Sequence, residues 1–273
     1  MNANPRLDLA LLLDVARAAG ELALRLRAAG LEIDYKAGNS PVTNADFACD
    51  ALLTERLRSA RPDYGWLSEE TADDSDRMSR RRLFVVDPID GTRAFLNDRP
   101  WWAVSAAVVE DDRPIAGVVF APQTGEVYAA AVGDGATLNG RPIRVSETSA
   151  LEDAGIVGEP RLFTHIDWPT PWPAMRVEPR NSTAYRMCLV ASGDFDATLT
   201  LAPKHDWDLA AADLIAREAG AQCGDHQGGV FSYNRSIPQQ SNLVCANPLI
   251  APLILERLAH IAPRQTPPNA ASK

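Results

Sequence analysis

Four short runs rich in valine and alanine, at residues 83–86, 103–109, 115–120 and 127–131, constrain this chain more than any other feature. Asp111-Asp112 and Pro122-Gln123-Thr124-Gly125 separate the last three as hairpin-type turns, so the spacing predicts an antiparallel meander. Gly133-Asp134-Gly135 and Asn139-Gly140 add turns before a further short strand at 143–145.

Helices flank this region on both sides. Residues 7–29 carry apolar side chains at helical spacing (Leu9, Leu12, Leu13, Ala16, Ala19, Ala23, Leu26), and Gly30 stands where a C-terminal cap belongs. Asn39-Ser40-Pro41 is expected to break the chain. Thr43-Asn44-Ala45-Asp46 then reads as a helix start, with a threonine N-cap and an acid three residues on, opening a helix to about Ala60. The charged and small residues 73–82 predict a surface loop. Beyond Leu151 short strands alternate with helices at 182–191, 208–219 and 248–260. The organisation expected is an N-terminal α+β domain at 1–150, a C-terminal α/β domain at 151–262, and a flexible tail at 263–273 with three prolines.

Composition narrows the class. Apolar residues make 46% and charged residues 23% of the 273, which excludes a disordered chain, a collagen-like repeat and a coiled coil. Cys49, Cys188, Cys223 and Cys245 are far apart with no CxxC pair, so reduced and mostly buried thiols are expected. The opening Met1-Asn2-Ala3-Asn4-Pro5 shows no basic segment before an apolar stretch, and the longest apolar runs are too short to span a bilayer. A cytoplasmic location is the expectation. Acids outnumber bases 36 to 27, a net charge of −9, so neither a nucleic-acid polymer nor an anionic membrane is expected as a partner.

Part of that acid is patterned. In Leu83-Phe84-Val85-Val86-Asp87-Pro88-Ile89-Asp90-Gly91-Thr92 an apolar strand ends in aspartate, proline turns the chain, and a second aspartate follows. Gly91-Thr92 then leads into a helical turn. The arrangement gathers two carboxylates and a carbonyl about one point and aims free N–H groups at the same place, which suits a phosphate. A phosphate tolerates carboxylates only with cations between them, and Mg²⁺, with its preference for hard oxygen ligands, fits. Trp66-Leu67-Ser68-Glu69-Glu70 presents another acid pair, and Trp207-Asp208 opens a helix with a small-residue face. Taken singly, these remain an ordinary turn, a solvated pair and an N-cap.

In combination the motifs resemble the inositol monophosphatase superfamily of metal-dependent, lithium-sensitive phosphatases. Asp87-Pro88-Ile89-Asp90-Gly91-Thr92 with Trp207-Asp208 carries the resemblance. Ser40-Pro41-Val42-Thr43-x-x-Asp46, Gly133-x-Gly135-Ala136-x-x-Asn139-Gly140 and Glu218-Ala219-Gly220 extend it over nearly the whole chain. It implies a layered αβαβα sandwich with the active site between its halves. It also implies two to three Mg²⁺ ions: Glu69, Asp87 and the Ile89 carbonyl on the first, Asp87 with Asp90 and Asp208 on the second, and Glu69 shared with a weaker third. Thr92, oriented by Asp46, would with Glu69 activate the attacking water, and the Gly91 and Thr92 amides would hold the phosphate.

The resemblance implies a small phosphorylated metabolite as substrate. Lys36 through Asp46 and Leu67-Ser68-Glu69-Glu70 look more like bacterial 3'(2'),5'-bisphosphate nucleotidases, since inositol monophosphatases more often carry glycine where Ser68 stands. Inositol-specific relatives have a glutamate where this chain has Leu201, and nucleotidases often have proline where Pro203 stands; His205 instead matches inositol phosphatases. Inositol 1-phosphate and histidinol phosphate are the alternatives. Ser182, Arg186, His205, Asp90 and Asp208 are expected near the substrate, and Lys36, Arg93, Arg180 and Lys204 are further candidates for a second phosphate. Trp101-Trp102 and the tryptophans at 168 and 172 are candidates to stack an adenine. Relatives include homodimers and monomers, so a homodimer stays open. A catalytically silent binding module is the reading from a different class.

Overall fold

The computed structural model describes residues 4–36, 38–164 and 168–262. Helix α1 (Pro5–Ala29) starts two residues earlier than expected, because the Asn4 side chain caps it and Pro5 suits a first turn. The break expected at Asn39-Ser40-Pro41 is instead a hairpin of β1 (Ile33–Lys36) and β2 (Ser40–Thr43). Gly38 (φ 78°) and Asn39 (φ 61°) turn it, both in the left-handed region that glycine and asparagine tolerate. Helix α2 (Asn44–Ala60) has the foreseen capping box between Thr43 and Asp46.

The first sheet has seven strands in sequential order: β3 (Gly65–Ser68), β4 (Arg82–Asp90), β5 (Ala103–Glu110), β6 (Arg113–Ala121), β7 (Glu126–Ala131), β8 (Ala136–Leu138) and β9 (Arg141–Ile143). Five-residue α3 (Thr92–Leu96) lies between β4 and β5. From β4 onward the sheet is the antiparallel meander that the valine-rich runs foretold. Edge strand β3, which the sequence did not single out, pairs parallel with β4. The last strand falls two residues before the expected 143–145. The charged segment is only partly a loop: Ser75–Ser79 forms a 3₁₀ turn and Arg82 begins β4. Arg77 within it is 2% exposed, its guanidinium bonded to Asp73, Asn234 and the Arg235 carbonyl.

The second sheet has five strands, in the order β11-β10-β12-β16-β14. These are β10 (Gly155–Val157), β11 (Arg176–Glu178), β12 (Ala197–Thr200), β14 (Gln222–Gly224) and β16 (Leu243–Ala246), while β13 (Lys204–His205) and β15 (Gln239–Gln240) pair separately. Helices α4 (Thr183–Ala191), α5 (Asp206–Glu218) and α6 (Ala251–Leu258) complete the chain. Helix α5 starts two residues before the expected Asp208. Helix α6 starts three residues later than expected, because the Asn247 side chain accepts from the Leu249 and Ile250 amides and holds that stretch as a cap.

Burial explains the stacking. Helices α1 and α2 bury Leu12, Val15, Leu53 and Leu57 against Phe84, Val104 and Val118 on one sheet face. On the other face α4 and α5 bury Met187, Leu209 and Ile215 between the first sheet and Leu243 and Cys245 of the second. Helix α6 seals the outer side with Ile254 and Leu258 against Ile156 and Val244. The result is the expected αβαβα layering. All four cysteines are buried free thiols. Because α4 and α5 share a core with the first sheet, dividing the chain at 150 is a proposal about topology rather than about separate cores. The tail expected at 263–273 lies outside the described residues. Among the described residues, no helix is long and apolar enough to cross a membrane.

Candidate active site

The site is built on an irregularity in β4. Asp87 pairs with Ser105 and Asp90 with Ala103, so one extra residue is inserted between them. Proline breaks the ladder there, having no N–H to donate, and the bulge re-aims neighbouring side chains. The strand thus continues through Pro88 to Asp90 rather than ending at Asp87. Asp87 accepts from the Ile89 amide at 3.0 Å. Asp90 reaches the start of α4, where it accepts from the Ser182 hydroxyl (2.7 Å) and the Thr183 and Ala184 amides (3.2 and 2.7 Å). Asp208 comes from the third residue of α5 and accepts from the His205 amide at 2.9 Å.

Carboxylate oxygens of Asp87, Asp90 and Asp208 lie within 4.8 Å of one another. Burial and mutual repulsion raise all three pKa values. For Asp87 burial leads, followed by Glu69; for Asp90, pushed up to about 6, burial leads, followed by Asp208; for Asp208 it is burial, then Glu69 against an opposing Lys204. Two buried carboxylates and a half-buried third gathered at one point are a donor set suited to a hard divalent cation.

Glu69 lines the same cleft, but its carboxylate stands outside that trio. Lys36 on β1 holds it, with Nζ 3.1 Å from Glu69 and 2.6 Å from Glu70, so this candidate for a second phosphate is already engaged by two acids. Burial, eased by the Lys36 hydrogen bond, pushes Glu70 up to about 7. The Thr92 hydroxyl lies 3.3 Å from Asp46 Oδ1 and 3.2 Å from the Ile89 carbonyl oxygen. Asp46 is fixed in turn by the Thr43 amide and hydroxyl at 2.8 and 2.6 Å. With its single proton drawn to one of these acceptors, Thr92 keeps lone pairs free to accept from a water. Gly91 has φ 96°, and a Cβ there would sit 3.0 Å from the Trp101 carbonyl and 3.1 Å from the Ser182 amide. Only glycine relieves both constraints.

The cleft, about 330 Å³, is lined by Glu69, Asp87, Asp90 and Asp208 together with Arg93, Arg180, Arg186 and Lys204. Arg186 is 9% exposed and makes no ion pair among the described residues; its Nε has no hydrogen-bond partner, and burial lowers its pKa. His205 is not among the lining residues: its ring stacks on Trp207 at 4.4 Å, and its Nδ1 is buried without a partner. Most tryptophan candidates for an adenine platform are placed elsewhere. Trp102 is fully buried against Phe95, and Trp168 and Trp172 pack edge to face by Phe163 and His260 at the outer core. Trp101 does not line the cleft itself but lies beneath Arg180, which does.

Residues 7–264 match the inositol monophosphatase family. The chain belongs to that family. It is 33% identical over 240 residues to the inositol-1-monophosphatase of Rhizobium meliloti, covering 83% of this chain and 85% of that one. It is 31% identical over 240 residues to the 3'(2'),5'-bisphosphate nucleotidase CysQ of Escherichia coli O157:H7, covering 84% and 94%. The solved IMPase of Thermotoga maritima superposes with a TM-score of 0.79 at 28% identity, covering 93% and 96%. This family member is accordingly a phosphomonoester hydrolase, and its carboxylate cluster stands where a metal ion can be held. Two differently named phosphatases match at near-equal identity, so likeness alone selects no substrate.

Proposed function

We propose that this hydrolase is a 3'(2'),5'-bisphosphate nucleotidase working with Mg²⁺ in the cytoplasm, converting 3'-phosphoadenosine 5'-phosphate to AMP and phosphate. The observation that carries the reading is Arg186. A buried guanidinium with no ion pair among the described residues is costly, and Arg186 lines the same cleft as the metal-binding acids, with Asp90 and Asp208 offsetting its burial only in part. A substrate with a second phosphate supplies a further anion, with Lys204 and Arg93 lining the same cleft. Leu201 packs against the outer core and offers no acceptor for inositol hydroxyls.

Asp87, Asp90, Asp208, Glu69 and the Ile89 carbonyl would hold two to three Mg²⁺ ions. Those ions, when bound, lower the pKa of a coordinated water and neutralise charge on the leaving oxygen. The protein's own contribution is placement. Thr92, held by Asp46, accepts a hydrogen bond from the attacking water and orients its lone pair toward phosphorus. Glu69, in reach of the same space, takes up the water's proton. The Gly91 and Thr92 amides meet the phosphate oxygens, where Gly91's missing side chain leaves room. Ser182 and the α4 amides lock Asp90 in position.

The test is kcat/KM for 3'-phosphoadenosine 5'-phosphate, inositol 1-phosphate and histidinol phosphate with Mg²⁺. The bisphosphate is expected to lead by about tenfold or more, the worth of one charge-assisted contact. A lead for inositol 1-phosphate would move the assignment to inositol-1-monophosphatase. Turnover of none of the three would point to a silent binding module. Inhibition of the leading activity by millimolar Li⁺ is expected, and an unchanged rate would count against the metal arrangement.

A further inference from the structure

We propose that Arg180 and Trp101 form the nucleobase platform of this site, with the guanidinium plane as the stacking surface. The inference rests on the nucleotidase reading. Arg180 lines the cleft and its Cζ lies over the Trp101 ring, 4.3 Å from its centre. Its edge is already occupied: Nη2 is 2.6 Å from Glu178 Oε2, and Nη1 donates to the Pro179 carbonyl at 2.9 Å. Two of its five N–H groups are engaged in this way and Glu178 offsets its charge, so it attracts a phosphate less than Arg186 does. What it offers the cleft is a flat, rigid, weakly hydrated face, to which an aromatic base binds well.

Arg186 makes the contrast. It lies in the same cleft, buried and with no ion pair among the described residues, and it suits an anion; Arg180 is paired with Glu178 and lies over Trp101, and it suits a π face. The position also fits. The Trp101 carbonyl and the Ser182 amide both lie close to Gly91, so the platform stands beside the amides assigned to the scissile phosphate. A ribose esterified there places its base over Arg180. Trp102, Trp168 and Trp172 are packed into the core and give no competing surface at the cleft.

The experiment compares 3'-phosphoadenosine 5'-phosphate with a methyl riboside 3,5-bisphosphate, which keeps both phosphates and lacks the base. The ratio of their kcat/KM values is measured in wild type, Arg180→Ala and Arg180→Lys. Loss of base stacking is expected to lower that ratio about tenfold in both variants, mainly through KM for the nucleotide. Lysine keeps the charge without the plane, so full rescue by Arg180→Lys would overturn the proposal. So would an unchanged ratio, whether because both substrates suffer equally, as for a phosphate contact, or because neither changes. Wild type that does not prefer the nucleotide to inositol 1-phosphate overturns the nucleotidase reading itself. Preference in wild type with an unchanged ratio in the variants overturns only the platform.

Discussion

Asp87→Asn is expected to lower metal-dependent kcat/KM by about a thousandfold or more, roughly 4 kcal/mol of transition-state stabilisation, while making the metal-free protein more stable. The two effects share one cause. Asp87 is buried in an acid cluster, and burial with its acidic neighbours drives its pKa well up. Without a cation the charge is a liability, and an amide of the same shape relieves it. With a cation the charge is the ligand, and asparagine supplies a weaker neutral oxygen in its place.

The pH dependence gives a second readout of the same cluster. Asp90 titrates at about 6 in the folded chain, against about 3.9 for an unfolded aspartate. The native state therefore binds more protons than the unfolded state across that interval. Stability of the chelated protein should fall as pH rises from about 4 through about 6, then level off where Asp90 alone is concerned. Saturating Mg²⁺ should flatten the slope, and Asp87→Asn should reduce it. Thermal unfolding in chelator at several pH values measures this; a Tm that climbs with pH through the window would refute the cluster's raised pKa values. Retained turnover by Asp87→Asn would refute the site assignment.

Arg186→Met is the second large effect expected. The two side chains are of similar length, and methionine removes a buried charge that makes no ion pair among the described residues, so Tm should hold or rise. Activity should move the other way. Losing a buried charge-assisted contact to a substrate anion costs about 2–3 kcal/mol, so kcat/KM for 3'-phosphoadenosine 5'-phosphate should fall about a hundredfold. Inositol 1-phosphate, with one phosphate only, should change by less than about threefold. Equal losses on both substrates would place Arg186 at the scissile phosphate. A lowered Tm with unchanged kinetics would make it a structural residue.

The local signals in this chain were strong where chemistry is written over a few consecutive residues. Valine-rich runs with turn residues between them specify the meander, and Thr43 with Asp46 specifies the entry to α2. The bulge in β4 was half legible: proline announces an interruption, but only the pairing of β5 shows that the strand resumes and carries Asp90 with it. Strand β3 was missed because its four residues carry no alternation, and parallel pairing leaves no turn signal in the sequence. The charged stretch at 73–82 misled in the opposite direction. Composition reports solvation on average, whereas Arg77 is buried through partners 157 and 158 residues away.

By itself the sequence specified the meander, its turns and the cap of α2, because strand, turn and cap chemistry act between neighbours along the chain; the layered fold and the set of acids were expected from the family its motifs resemble. Tertiary structure alone decided which charges are free. It gave Lys36 to Glu69 and Glu70, laid Arg180 over Trp101, and left Arg186 buried with no ion pair among the described residues. It also buried Trp102 and turned His205 onto Trp207. Coulomb energy and desolvation depend on distance through space and on depth below the surface. Neither quantity is set by separation along the chain, so substrate recognition emerges only when segments far apart in sequence meet at one cleft.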